Sequence, residues 1–266
     1  NYDDYRDAIA SFSCPGQNLI FASKSGDIAI TQQGTFPAKW KYQGEFLMDG
    51  KDSTYEWQGM IPAEQKMTIK NPKRGFVSSA NQLPTDPIGY PYYLGGDYIY
   101  ERGYRINSIL RGLRKATVQD MMNLQNDNFN TRAHQILPLI FETLDSMSLS
   151  GEEKEWLKLL KNWDKLNDAE SEGATIYQTL MDSLEYNIWG DELRKSVIGV
   201  MPEHNTIVQD LMKNTNFKCV DNIFTPQKET FADQLKTSFV SILPALNQMK
   251  KENKLKWGLH KGTCIP

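Results

Sequence analysis

Between Phe231 and Met249 the residues Phe231, Leu235, Phe239, Ile242, Leu246 and Met249 return every three or four positions. That spacing is the period of an amphipathic α-helix and is far from the alternation of a strand. Shorter stripes of the same period precede it. They are Ile106, Ile109, Leu110 and Leu113, then Trp156, Leu159, Leu160 and Trp163, then Ile176, Leu180, Leu184 and Ile188. Start signals agree. Ser150-x-x-Glu153 has the form of a capping box, and Thr117-x-x-Asp120 and Thr230-x-x-Asp233 are weaker versions. Residues 102–266 therefore read as mainly helical, with the stripes as core.

Residues 1–101 read as a β-rich segment. Asn18–Ser23 makes one strand, Ser25-Gly26-Asp27 a turn and Ile28–Thr31 the return strand, closed off by Gly34 and Pro37. Two apolar runs joined by a Gly-containing turn form a β-hairpin. A second β segment is predicted over Arg74–Ala80, after the Asn71-Pro72 break. The fold class is α+β, and 266 residues suffice for a proper core. No repeat or low-complexity segment is visible.

Composition narrows the function. A net charge of −3 leaves no dominant basic surface, so nucleic acid is not an expected partner. No apolar run approaches the roughly 20 residues of a membrane span. Six Trp and twelve Tyr point to large packed aromatic surfaces before they point to an aromatic cleft. Three cysteines allow at most one internal disulfide, and both a Cys219–Cys264 pair and free thiols stay open.

Several chemical motifs fail. His134, His204 and His260 lie far apart and outside any HExxH or CxxC setting, so they predict no metal site. Asp168–Gly173 begins like a calcium loop, but Thr179 stands where the bidentate Glu is needed. It reads as a solvated loop between helices. Ser11, Ser13 and Cys14 are nucleophiles by chemistry, with no paired base nearby. Gly95-Gly96 lacks the spacing of a nucleotide loop. By the residues alone, Asn81 in "NPKRGFVSSANQLP" is a turn residue.

A resemblance changes that reading. "GQNLIFASKSGDIAITQQGTFPAKW" resembles a stretch of the penicillin acylase (penicillin amidase) family, with Gln17-Asn18, Ala22, Gly26, Ile28, Gly34 and Pro37 matching. Ser23, Asp27 and Lys39 depart from it, standing in place of Asp, Asn and Arg. "WQGMIPAEQKMTIKNPKRGFVSSANQ", "ERGYRINSILRG", "MMNLQNDNFNTRAHQILPLI", "LLKNWDKLNDAESEGATIYQTL" and "LKWGLHKGT" resemble further family segments in the same order.

The resemblance implies part of an N-terminal-nucleophile hydrolase with an αββα core. In such enzymes a precursor cuts itself and exposes a Ser whose hydroxyl attacks an acyl amide, with its own α-amine as base. It also implies that Asn81 donates its side-chain amide to the oxyanion and that Arg102 orients Asn81 and the terminal amine. Arg102 paired with Glu101 or Asp97 is the structural alternative. The Ser and much of the acyl pocket are expected outside this chain. The chain is thus expected to be an inactive internal fragment whose partners are the acyl amide, the α chain and the start of the β chain. No cofactor is implied for the chemistry. A structural Ca²⁺ is implied for some relatives. Pro37 falls near its carbonyl site, Pro91–Tyr93 lack the acidic ligand, and Asp86 or Asp97 are the substitutes. Export, usually to the periplasm, is also implied. A non-catalytic relative that binds a ligand or partner is the competing reading.

Overall fold

The computed structural model describes residues 1–83, 85, 88–96, 98, 100–193, 201–202 and 204–263. Its contacts divide into two compact units, Asn1–Gln125 and Asn126–Pro266. The change from strands to helices falls earlier, at Glu101.

In the first unit, helix α1 (Tyr2–Ala10) opens on a capping box formed by Asn1 and Asp4. Strands β1 (Gln17–Ala22), β2 (Ile28–Gln33) and β3 (Thr68–Lys70) follow in an antiparallel sheet of order β1-β2-β3. Asn18 faces Gln32 and Ile30 faces Ile69 across the ladders. The predicted hairpin forms, and Gly26 takes φ +95° in its turn, a conformation natural to glycine. The two faces of the sheet differ. Ala29, Thr31 and Gln33 are buried. On that side, Arg6 Nη1 of α1 donates to Thr68 Oγ1 at 3.0 Å and the Tyr5 ring lies 5.0 Å from that of Phe21. Ile28, Ile30 and Gln32 on the other side stay half-buried.

The β segment expected over Arg74–Ala80 is not a strand. The strand, β3, lies before the Asn71-Pro72 break. Asn71 takes φ +46° and its side chain accepts from Ile28 N at 2.9 Å, which ends the ladder there. Residues 74–80 are held by side-chain hydrogen bonds instead. Helices α2 (Glu101–Gly112) and α3 (Val118–Gln125) complete the unit. The Ile106–Leu113 stripe, expected as core, is only half-buried, and the buried residue of α2 is Gly103.

The second unit holds the large core. Helices α4 (Thr131–Asp145), α5 (Gly151–Lys161), α6 (Glu172–Leu193), α7 (His204–Lys213), α8 (Phe231–Lys251) and α9 (Trp257–Lys261) surround it. The three stripes expected within this unit enter this core, with Ile176, Leu180, Leu184, Ile188, Leu235, Phe239 and Leu246 fully buried. Helix α6 is buried around most of its circumference and packs chiefly on α8. The capping boxes at Ser150–Glu153 and Thr230–Asp233 form as expected. Among the described residues, no helix is long and apolar enough to cross a membrane.

One glycine tests this packing. A Cβ on Gly173 would stand 2.3 Å from Trp163 Cγ and 2.4 Å from Trp163 Cβ. Alanine usually favours a helix by about 1 kcal/mol over glycine. Gly173→Ala should reverse that sign and cost about 1–3 kcal/mol through overpacking. A chemical-denaturation midpoint that rises in this variant would rule the contact out.

Candidate functional site

Asn81 and Arg102 are 21 positions apart in the sequence and meet in the structure. Arg102 Nη2 donates to Asn81 Oδ1. Arginine has only donors, so the oxygen of the Asn81 amide must face it. That orientation turns Nδ2 away, and it makes no hydrogen bond among the described residues. Asn81 takes φ +59°, a left-handed conformation that Asn tolerates better than most residues.

The surroundings position this pair. Gln82 Oε1 accepts from Ala80 N at 2.6 Å, and Gln82 Nε2 donates to Ser78 O at 3.2 Å. One side chain thus ties the backbone on the approach to Asn81. A Cβ on Gly103 would meet Gln82 Oε1 at 3.1 Å and Gln82 Cβ at 3.2 Å, so glycine lets α2 approach this loop closely. Asn107 bridges the same two elements. Its Oδ1 accepts from Ser78 Oγ at 3.2 Å and its Nδ2 donates to Gly103 O at 2.6 Å. Asn18 Nδ2 of β1 holds the loop from another side, donating to Ser79 Oγ at 2.7 Å. Gln82, Gly103 and Asn107 carry no motif of their own. Their proximity to Asn81 and Arg102 was the only signal in the sequence.

The other sequence candidates stay apart. Among the described residues no base is hydrogen-bonded to the side chains of Ser11, Ser13 or Cys14, and Cys14 is an exposed free thiol. Asp168 lies in the loop before α6 and accepts from Asn128 Nδ2 at 2.6 Å. Asp86, Asp97 and Cys264 lie outside the described residues. In the Pro91–Tyr93 segment, the Tyr93 hydroxyl donates to the Glu45 carboxylate.

Among the described residues, one group has the composition of a metal site. Ligand-type atoms of Asp182, Glu185 and His204 lie within 4.8 Å of one another. They satisfy one another without an ion. His204 Nδ1 stands 2.5 Å from Glu185 Oε1, and Gln178 Nε2 donates to Asp182 Oδ1 at 2.7 Å. Burial pushes the Glu185 carboxyl up, and the His204 contact opposes that shift. The group is best described as a hydrogen-bonded contact joining α6 to the start of α7.

At the end of α6, Asp191 Oδ2 accepts from Ile223 N at 2.7 Å. Beside it, burial pushes the Glu192 carboxyl up, with the neighbouring Asp191 adding to the shift. Burial and then the Glu192 charge push the Cys219 thiol up to about 11. The thiolate is the nucleophile, so Cys219 should resist alkylation at pH 8, and Cys14 should react first. The raised pKa keeps this thiol neutral at pH values where an ordinary thiol ionises, and that difference is lost as pH climbs through about 11. Iodoacetamide labelling of the native protein, read by peptide mass spectrometry, checks it. Equal labelling of both residues at pH 8 would contradict the burial of Cys219.

The small antiparallel sheet and the helical unit define an α+β protein. The chain superposes on the thermostable penicillin G acylase of Alcaligenes faecalis with a TM-score of 0.69. The match covers 97% of this chain and 50% of that one, at 13% identity. The sequence profile of the penicillin amidase family matches residues 1–264, and the chain belongs to that family. Curated relatives include an acyl-homoserine lactone acylase QuiP of Pseudomonas syringae pv. syringae, 25% identical over 80% of this chain. Penicillin G acylase of Escherichia coli is 21% identical over 70% of it. The chain spans 28% and 22% of the lengths of those two relatives.

Proposed function

We propose that this chain is part of an amide-bond hydrolase and that it supplies Asn81 as an oxyanion donor and Arg102 as the residue that orients it. The nucleophile in this reading is an N-terminal Ser of the β chain, carried by a part of the protein outside these residues. Its hydroxyl attacks the acyl carbonyl of the substrate, and its α-amine takes the proton. The carbonyl oxygen then becomes an oxyanion that needs donors already in place. Asn81 Nδ2 is such a donor, neutral and held by a backbone that does not have to move.

The observation that carries this reading is the Arg102–Asn81 hydrogen bond. It fixes which end of the amide points outward. A mere turn residue needs no such clamp.

The test begins with the full-length precursor. N-terminal sequencing of its mature chains by mass spectrometry should find two chains, the larger opening with Ser. A single uncut chain, or one opening with Gly or Ala, would favour the ligand-binding alternative. The same reading predicts that the 266-residue chain alone does not hydrolyse a phenylacetyl anilide. Turnover by the purified chain would overturn the placement of the nucleophile elsewhere.

A further inference from the structure

Ser78, Ser79 and Ala80 lead into Asn81, and each is held by the side-chain amide of a different residue. Asn107 Oδ1 of α2 accepts from Ser78 Oγ at 3.2 Å, Asn18 Nδ2 of β1 donates to Ser79 Oγ at 2.7 Å, and Gln82 Oε1 accepts from Ala80 N at 2.6 Å. The first of these reaches α2, the helix that carries Arg102. Side chains thus join the loop to α2 at two places, Asn81 with Arg102 and Ser78 with Asn107. Arg74 reinforces the second, donating from Nη1 to Asn107 Oδ1 at 3.3 Å.

Two attachments do what one cannot. A single hydrogen bond is a pivot about which its partners turn. Asn107 lies five residues beyond Arg102, about 7.5 Å along the helix. Ser78 lies three residues before Asn81, a span of at most about 10 Å. The two spans are comparable, so the loop runs beside α2 and is pinned at both ends of the stretch that delivers Asn81. The Asn107 amide meets all its partners in one orientation. Arg74 has only donors, so Oδ1 must face the loop. That leaves Nδ2 for Gly103 O, to which it donates at 2.6 Å. The Gly103 bond alone is a helix side chain returning to the carbonyl four residues back. The bonds to Ser78 and Arg74 serve no purpose within the helix and belong to the loop.

We propose that Asn107 is a positioning residue for amide hydrolysis and that it acts through Asn81. The proposal rests on the acylase reading and deepens it by naming a residue on which the oxyanion donor depends. With the Asn107 link to Ser78 cut, the Arg102–Asn81 bond is left as a pivot, and the Asn81 amide samples directions away from the oxyanion. Misplacement of a catalytic group by about 1 Å is enough to cost on the order of 100-fold in rate. Asn107 touches no reacting atom in this account. Its contribution to the rate therefore exists only while the Asn81 amide is present.

A double-mutant cycle on the processed full-length protein tests this, with phenylacetyl anilide and straight-chain acyl anilides from acetyl to decanoyl as substrates. Asn107→Ala should lower kcat by about 10- to 100-fold, with KM changed less than about twofold and self-processing retained. In an Asn81→Gly background the same substitution should cost less than about twofold, because the two residues act as one unit. Asn107→Asp keeps the acceptor for Ser78 and Arg74, so its kcat should stay within about threefold of the parent. Three results would overturn the positioning role and leave the acylase reading standing. They are an unchanged kcat in Asn107→Ala, a loss that persists at full size without the Asn81 amide, and an Asp variant as slow as the Ala variant. A processed parent that turns over none of these anilides would sink the acylase reading, and the positioning role with it.

Discussion

On the proposed reading, Asn81→Gly in the processed full-length protein should lower kcat for acyl-amide hydrolysis by about 100- to 1,000-fold, the loss typical of one missing oxyanion donor. Glycine is the informative replacement. Asn81 takes φ +59°, which glycine adopts without penalty and alanine does not. Asn81→Gly thus keeps the turn and removes only the amide, whereas Asn81→Ala removes the amide and strains the backbone. If Asn81 were only a turn residue, the glycine variant would keep its activity. If it is the donor, both variants fall together while the melting temperature of the glycine variant stays near that of the parent. Self-processing gives an independent readout. Two mature chains in Asn81→Gly would show that the nucleophile is intact and that the defect lies in the stabilisation of charge. KM should change little, because the donor is asked to act on an oxyanion that exists only along the reaction path.

The same residues show what the sequence could and could not tell. Asn81 and Arg102 were legible only through resemblance. Periodicity assigns Asn81 to a turn, and its φ agrees with that assignment. The turn and the proposed chemistry use different atoms of one residue, the backbone for the first and the amide for the second. The strand expected over Arg74–Ala80, just before Asn81, does not form. Side-chain amides hold that segment instead, and Gln82 and Asn107 obey no spacing rule that a pattern could detect. Arg74–Ala80 looked like a strand because it is apolar and β-branched in part. It finds no ladder partner on β2, since Asn71 turns the chain away from that strand first. The helical unit was far more legible. There each stripe is buried against other stripes, so local period and global packing ask for the same residues. On α2 the stripe predicted a core that the first unit does not provide, and those residues stay half-buried.

Phe239→Ala should destabilise the protein by about 3–5 kcal/mol. Phe239 is fully buried in α8, within the core that α6 also enters. Removing its ring forfeits the transfer energy of a large side chain and leaves a cavity that packed helices can only partly close. That is about a fifth or more of the stability of an ordinary domain. The thermal midpoint should fall by roughly 10 to 20 °C. The control is the next residue. Val240 is 40% exposed on the same helix. Val240→Ala gives up little buried area and gains helix propensity, so its effect should stay within about 0.5 kcal/mol. The pair isolates which face of α8 meets the core, because propensity and local backbone are nearly shared. Equal losses in the two variants would mean that the helix is rotated or that the stripe from Phe231 to Met249 does not form the core. A large loss at Phe239 alone would tie the strongest periodicity in the sequence directly to the stability of the fold.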